Sequence, residues 1–89
     1  MISREVTVRN RAGVHTRPAS MIVREAGRFA SEFVIRKDGY EINGKSIIGV
    51  MTLAAEQGAT LDLLFDGPDE TEAADAMAAL FESGFGEPV

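Results

Sequence analysis

A single histidine, His15, stands in the 89-residue chain, with Gly13 two positions before it and Thr16, Arg17 and Pro18 directly after it. Pro18 belongs in the first turn of a helix, where backbone N–H groups have no intrahelical partner, so His15 reads as the residue at a helix entrance. The positive end of the helix dipole disfavours a second positive charge there, which favours a neutral, nucleophilic ring. A neutral ring nitrogen can attack phosphorus. A phosphoryl group placed on it would carry roughly −1.5 to −2 charges and would meet the free N–H groups of the first helical turn. Arg17 adds a planar fork of donors matched to phosphoryl oxygens. The same residues also have an ordinary reading, as a capping or loop histidine beside a solvated surface charge. One histidine by itself builds neither a metal site nor a catalytic triad.

The rest of the composition narrows the setting. Hydrophobic residues make up 45% and charged residues 26% of the chain, as in an average soluble domain, so a disordered or collagen-like chain is excluded. The length suits one domain, residues 1–89, with a single modest core. Without cysteine there is no disulfide framework, thiol chemistry or cysteine-based metal site. No apolar run approaches the roughly 20 residues of a membrane span, and no basic segment followed by an apolar signal core opens the chain, so the cytoplasm is the expected compartment. The net charge of −5 divides unevenly: up to Lys45 nine bases face five acids, a balance of +4, and from Ser46 onward nine acids face no base. A pI near 4.7 argues against general nucleic-acid binding. The basic half leaves room for an acidic protein partner or a phosphoryl group.

The elements that must position His15 follow from periodicity. Ile2 to Arg9 alternates as a half-buried strand, with Ile2, Arg4, Val6 and Val8 on one face. Ala19, Ile22, Val23 and Ala26 recur at helical spacing and predict a helix over Thr16 to Ala26, with Gly27 at its C-terminal end. Phe33 and Ile35 alternate with Val34 and Arg36 in a second strand, Asp38-Gly39 is a two-residue hairpin turn, and Tyr40 to Asn43 returns as a third strand. Ser46 is a good N-cap for a helix over Ile47 to Ala55, with Gly58 as its stop. Leu61, Leu63 and Phe65 alternate in a fourth strand, Thr60 to Asp66. Asp69 and Glu72 have capping-box spacing before a last helix whose inner stripe is Ala73, Met77, Leu80 and Phe81 and which Gly84 closes, leaving a short tail to Val89. The order βαββαβα places the helices together on one face of a four-stranded sheet, an α+β architecture.

The second helix has apolar residues on two sides. At about 100° per residue, Val50, Leu53 and Ala54 share one side, while Ile48 and Met51, with Ile47 at the border, point to the other. One sheet cannot cover both, so the second side either packs against a neighbouring helix or loop or forms an exposed patch suited to several partners. Arg17 and Arg24, seven apart, put a basic rim beside it, which fits acidic partners.

The segment Gly13-Val14-His15-Thr16-Arg17-Pro18-Ala19, followed at a distance by Asn43-Gly44-Lys45-Ser46-Ile47-Ile48-Gly49-Val50-Met51-Thr52-Leu53, resembles the HPr family, the histidine-containing phosphocarriers of the bacterial phosphoenolpyruvate-dependent phosphotransferase system. The likeness covers nearly the whole chain, with two motifs in order and at the family's spacing. It departs at Val14 and Thr16, which stand where Leu and Ala are frequent, and Ser20 and Met21 are positions where partner choice would be tuned. The resemblance implies an open-faced β-sandwich with an antiparallel sheet of strand order 1-4-2-3. It implies that enzyme I phosphorylates His15 on Nδ1, with Thr16 and Arg17 at the phosphoryl group, and that the carrier delivers that group to enzyme II A domains serving sugar uptake or regulation. Ser46 then matches the regulatory serine phosphorylated by HPr kinase/phosphorylase, a form that in some bacteria binds a repressor of catabolic genes. Ser20, Arg24, Ile47, Ile48 and Met51 become the docking residues of a monomeric shuttle that is not an enzyme and needs no cofactor or metal.

Three other readings belong beside it. A regulatory, nitrogen-branch paralogue would carry phosphoryl groups without a sugar permease partner. A small hydrolase of acylphosphatase type shares βαββαβ and this length, but its arginine-bearing phosphate loop is missing here. A binding module with the fold but no transfer activity would lack the histidine.

Overall fold

The computed structural model describes every residue from Met1 to Val89. Four antiparallel strands, β1 (Ile2–Thr7), β2 (Glu32–Lys37), β3 (Tyr40–Asn43) and β4 (Thr60–Asp66), form one sheet of order β1-β4-β2-β3. Helices α1 (Thr16–Ala26), α2 (Ile47–Thr52) and α3 (Glu70–Glu82) cover one face of it, and a 3₁₀ turn, Gly84–Gly86, follows α3. This is the α+β, open-faced β-sandwich expected from the sequence.

Alternation decides which sheet face is covered. Val6, Phe33, Ile35, Leu61, Leu63 and Phe65 are buried and join Ala19 and Ile22 of α1, Val50 of α2, and Ala73, Ala74, Met77 and Phe81 of α3 in one apolar core. The register brings Phe33 opposite Phe65, where the two rings stack with centroids 4.6 Å apart, and Ile35 opposite Leu63 on one side and Ile42 on the other. Truncating one of these side chains to alanine would cost about 2–5 kcal/mol. Arg4 shares the covered face of β1 and reaches past the core's edge to Asp75 of α3, 2.6 Å away. The β2–β3 hairpin turns at Asp38 and Gly39, both with positive φ (50° and 84°), as a two-residue mirror-image turn requires.

Several boundaries differ from those the sequence predicts. The regular strand β1 ends at Thr7 rather than Arg9, because β4 begins at the opposite residue, Thr60; Val8 still bonds across to Ala59 and Gly58 before the partner turns away. Helix α2 ends at Thr52 with Leu53 as its cap, short of Ala55 and of Gly58. Ala54 takes a left-handed conformation (φ 49°) and is exposed, while Ala55 turns inward and its carbonyl receives the Val14 N–H. The stop is therefore an alanine, which no glycine rule points to. Gly27 does sit at the end of α1, but in a right-handed conformation (φ −65°). The Asp69–Glu72 capping box does not form. Asp69 instead accepts the backbone N–H groups of Ala30 and Ser31 and the Ser31 hydroxyl, tying the α1–β2 loop to the start of α3, and Glu70 accepts the Gly67 N–H. On α3, Ala74 is fully buried, whereas Leu80 is half-buried.

Candidate functional site

His15 is the N-cap of α1, as the position of Pro18 implies, with an extended backbone (φ −91°, ψ −165°) and a carbonyl that accepts the Ala19 N–H. Its ring does not cap the helix. The backbone N–H groups of Thr16 and Arg17 donate to nothing in the chain, and Pro18 has none, so two unpaired amides remain at the entrance beside the ring. Such amides, at the positive end of a helix, favour an anion.

The loop before His15 is held from three directions. Asn10, fully buried, donates from Nδ2 to the Gly13 carbonyl at 2.8 Å. Gly13 has φ +72°, and a Cβ there would lie 2.6 Å from the Ala55 carbonyl oxygen, so only glycine fits without a backbone shift. Val14 is buried and donates its N–H to that same oxygen at 2.9 Å. The early stop of α2 at Ala54 is what places this carbonyl. A depression of about 570 Å³, lined by Arg11, Val14, His15, Ala54, Glu56 and Gln57 among others, opens beside the ring.

The tail after α3 returns to the site. Gly84, Phe85 and Gly86 all have positive φ (65°, 58° and 71°), which reverses the chain after α3. The buried Phe85 ring meets Phe81 edge-on at 5.0 Å and anchors the reversal. Glu87 is thereby brought against His15. Its Oε1 accepts from Asn10 Nδ2 at 2.9 Å, its Oε2 from Arg17 at 2.9 Å, and both oxygens lie 3.0 Å from His15 Nε2. The hydrogen bond from His15, then those from Asn10 and Arg17, hold the Glu87 carboxyl down at about 2 against an ordinary 4.5, in spite of partial desolvation that works the other way. Arg17 commits one terminal nitrogen to this carboxylate and to the Phe85 carbonyl, 2.9 Å away, and keeps its other donors free.

His15, Thr16 and Arg17 are thus together and exposed, as the sequence suggests. Nε2 faces a carboxylate, while Nδ1 has no partner in the chain. The charge division by sequence does not carry over to the site: His15 belongs to the basic half of the chain, yet an acid from the other half, Glu87, lies against its ring. Glu87, Asn10 and the Phe85 carbonyl are absent from the sequence-derived site; the Gly84-Phe85-Gly86 turn was the available signal for them.

Ser46 caps α2, its hydroxyl accepting the Gly49 N–H at 3.1 Å. It lies at the far end of α2 from Ala54 and Ala55, and six helical residues span about 9 Å, so the structure does not gather it with His15. Between them Ile47, Ile48 and Met51 are 38, 74 and 44% exposed, so the second apolar side of α2 is uncovered. Ala54 does not join the buried side with Val50 and Leu53. Helix α1 packs against α2, and Arg17, half-buried Ser20 and exposed Arg24 follow one another along it at three- and four-residue spacing. Arg24 has no carboxylate partner in the chain. No group of three His, Asp or Glu side chains is placed to hold a metal ion, and no helix is long and apolar enough to cross a membrane.

Residues 2–83 match the family model for the PTS HPr component phosphorylation site. The phosphocarrier protein HPr of Treponema pallidum is 47% identical over 87 residues, covering 98% of this chain and 99% of that protein. The chain belongs to the HPr family. Another relative, the HPr-like protein Crh of Halalkalibacterium halodurans, is 45% identical over 92% of this chain and 98% of its own. The crystal structure of HPr-C-His from Thermoanaerobacter tengcongensis superposes over 100% of both chains with a TM-score of 0.95 at 39% identity. Members of the HPr family carry phosphoryl groups in the phosphotransferase system, so the chain is a phosphocarrier and not a catalyst, and its partners are phosphotransfer proteins.

Proposed function

We propose that phospho-enzyme I places a phosphoryl group on His15 Nδ1 and that the chain hands it to enzyme II A domains for sugar uptake or regulation, as a cytoplasmic monomer. The observation that carries this is the open Nδ1 beside the two unpaired amides of Thr16 and Arg17. The lone pair attacks phosphorus, the amides and the free donors of Arg17 receive the phosphoryl oxygens, and transfer onward reverses the step. Incubation with phosphoenolpyruvate and enzyme I should give one acid-labile phosphate per chain, lost in His15→Ala. Label that survives the substitution would sink the assignment.

The uncovered Ile47, Ile48 and Met51, with Ser20 and the unpaired Arg24 alongside, support a docking surface for acidic partner proteins. Ser46 at its far end is the regulatory site in this reading. A phosphate there adds negative charge to the docking face and acts by repulsion on enzyme I rather than by unfolding the chain. The test is HPr kinase/phosphorylase with ATP, where acid-stable phosphoserine is expected in the wild type and absent from Ser46→Ala. The 45% identity to a Crh-named protein supports a second, regulatory reading, with a catabolite repressor as partner of the serine-phosphorylated form. Efficient acceptance from enzyme I with no delivery to any sugar enzyme II A domain would favour a purely regulatory branch.

A further inference from the structure

A carboxylate can only accept hydrogen bonds, and both oxygens of Glu87 lie 3.0 Å from Nε2 of His15. A lone pair on Nε2 would face the lone pairs of the carboxylate, so Nε2 carries the hydrogen. In a neutral imidazole that leaves the lone pair on Nδ1, the nitrogen with no partner. The carboxylate is itself fixed: Asn10 and Arg17 donate to it, its side chain is only 12% exposed against 44% for His15, and the Phe85 anchor holds the backbone beneath it.

We infer that Glu87 is a positioning residue for phosphoryl transfer: it keeps the His15 proton on Nε2, presents Nδ1 as the nucleophile, and faces the positive charge the ring gains on reaction. This rests on the phosphoryl-acceptor reading of His15. The step balances without a proton acceptor. A bond forms between Nδ1 and phosphorus as the bond from phosphorus to the donor breaks, and that bond's electron pair returns to the donor. The Nε2 proton stays, so the ring passes from neutral to cationic with a carboxylate already in contact, a charge-assisted hydrogen bond that strengthens as transfer proceeds. Return of the electron pair to Nδ1 on delivery restores the neutral ring. The groups facing the carboxylate are His15, Arg17 and Asn10; Glu56 and Arg11 line the depression that His15 also borders.

Two substitutions separate the roles. Glu87→Gln keeps an oxygen toward Nε2 and Asn10 and loses the charge and the Arg17 contact, while Glu87→Ala removes the acceptor altogether. Ring nitrogen NMR at about pH 9, above the ordinary imidazole range, should show Nε2 protonated and Nδ1 bare in the wild type and in Glu87→Gln, and a mixture of tautomers in Glu87→Ala. The rate of phosphoryl acceptance from phospho-enzyme I should fall about tenfold in Glu87→Ala, with Glu87→Gln between it and the wild type. A wild-type ring protonated on Nδ1 would overturn the inference without any variant. So would a Glu87→Ala variant with the wild-type tautomer and rate. If the wild type itself takes no phosphoryl group on His15, the functional reading fails instead, and that outcome is recognised because the wild type is then as inert as the variants.

Discussion

Nε2 of His15 sits 3.0 Å from both carboxylate oxygens of Glu87, a residue 72 positions further along the chain. This contact closes the chain on itself at the site. The loop before α1, the helix entrance and the reversal after α3 meet at one imidazole, and each is positioned by something other than the histidine: Gly13 against Ala55, Pro18 in the first turn, Phe85 against Phe81.

The contact should be visible in the titration of Glu87. In the wild type its carboxyl should titrate at about 2. Removing the largest cause, in His15→Ala, should move the midpoint upward toward the ordinary 4.5, with a smaller rise in Arg17→Ala. Carboxyl-carbon NMR of the side chain reads this directly, and an unmoved midpoint in His15→Ala would mean that the pair does not form in solution.

Acid stability follows with a definite sign. Asp69 is held below its ordinary 3.8 first by the Ser31 hydroxyl and then by the Ala30 amide, and Glu87 is held at about 2. Groups whose folded values are depressed contribute fully above their unfolded values, and that contribution disappears as pH falls through the folded ones. Stability should therefore begin to fall just below about pH 4.5 and continue to fall toward pH 2. Asp69→Asn should lower the denaturant midpoint at neutral pH and flatten the decline, as measured by urea unfolding across that range.

Gly13→Ala should cost about 2–4 kcal/mol in the same measurement, because it combines a left-handed backbone with a Cβ 2.6 Å from the Ala55 carbonyl oxygen. Gly39→Ala is the control. Its φ is also positive, at 84°, but nothing lies within 4 Å of the added atom, so the loss should be smaller.

The docking surface should be separable from the fold. Ile48→Asp and Met51→Asp change side chains that are 74 and 44% exposed, so stability should move by less than about 1 kcal/mol. Acceptance from enzyme I should weaken about tenfold or more, since an added anion both removes apolar contact and repels an acidic partner. Equal rates for wild type and variants would remove this face from the interaction.

Local chemistry in the sequence was sufficient for much of this. The period-two run of Leu61, Leu63 and Phe65, the Asp38-Gly39 turn and Pro18 after His15 each act through their own neighbours, so strands, hairpin and helix entrance were legible. The sheet order came from resemblance, because alternation marks a strand's buried face and not its neighbour. The end of α2 was illegible because Ala54 adopts a left-handed conformation to deliver the Ala55 carbonyl to Val14, a tertiary demand. Asp69 likewise has capping-box spacing to Glu72, yet the amides of Ala30 and Ser31, nearly forty residues away, are its partners. Glu87 was hidden for the same reason: in the sequence it is one acid among nine in the acidic half, and only the reversal at Gly84–Gly86 brings it to His15.

The most direct measurement uses the fact that the chain has one histidine. With histidine nitrogen-15 labelling, the protein is phosphorylated by phosphoenolpyruvate and enzyme I, and the ring nitrogens are observed before and after. The expected result is a phosphorus–nitrogen bond at Nδ1 with the proton still on Nε2. A phosphoryl group on Nε2, or one carried by any residue other than His15, would contradict the assignment.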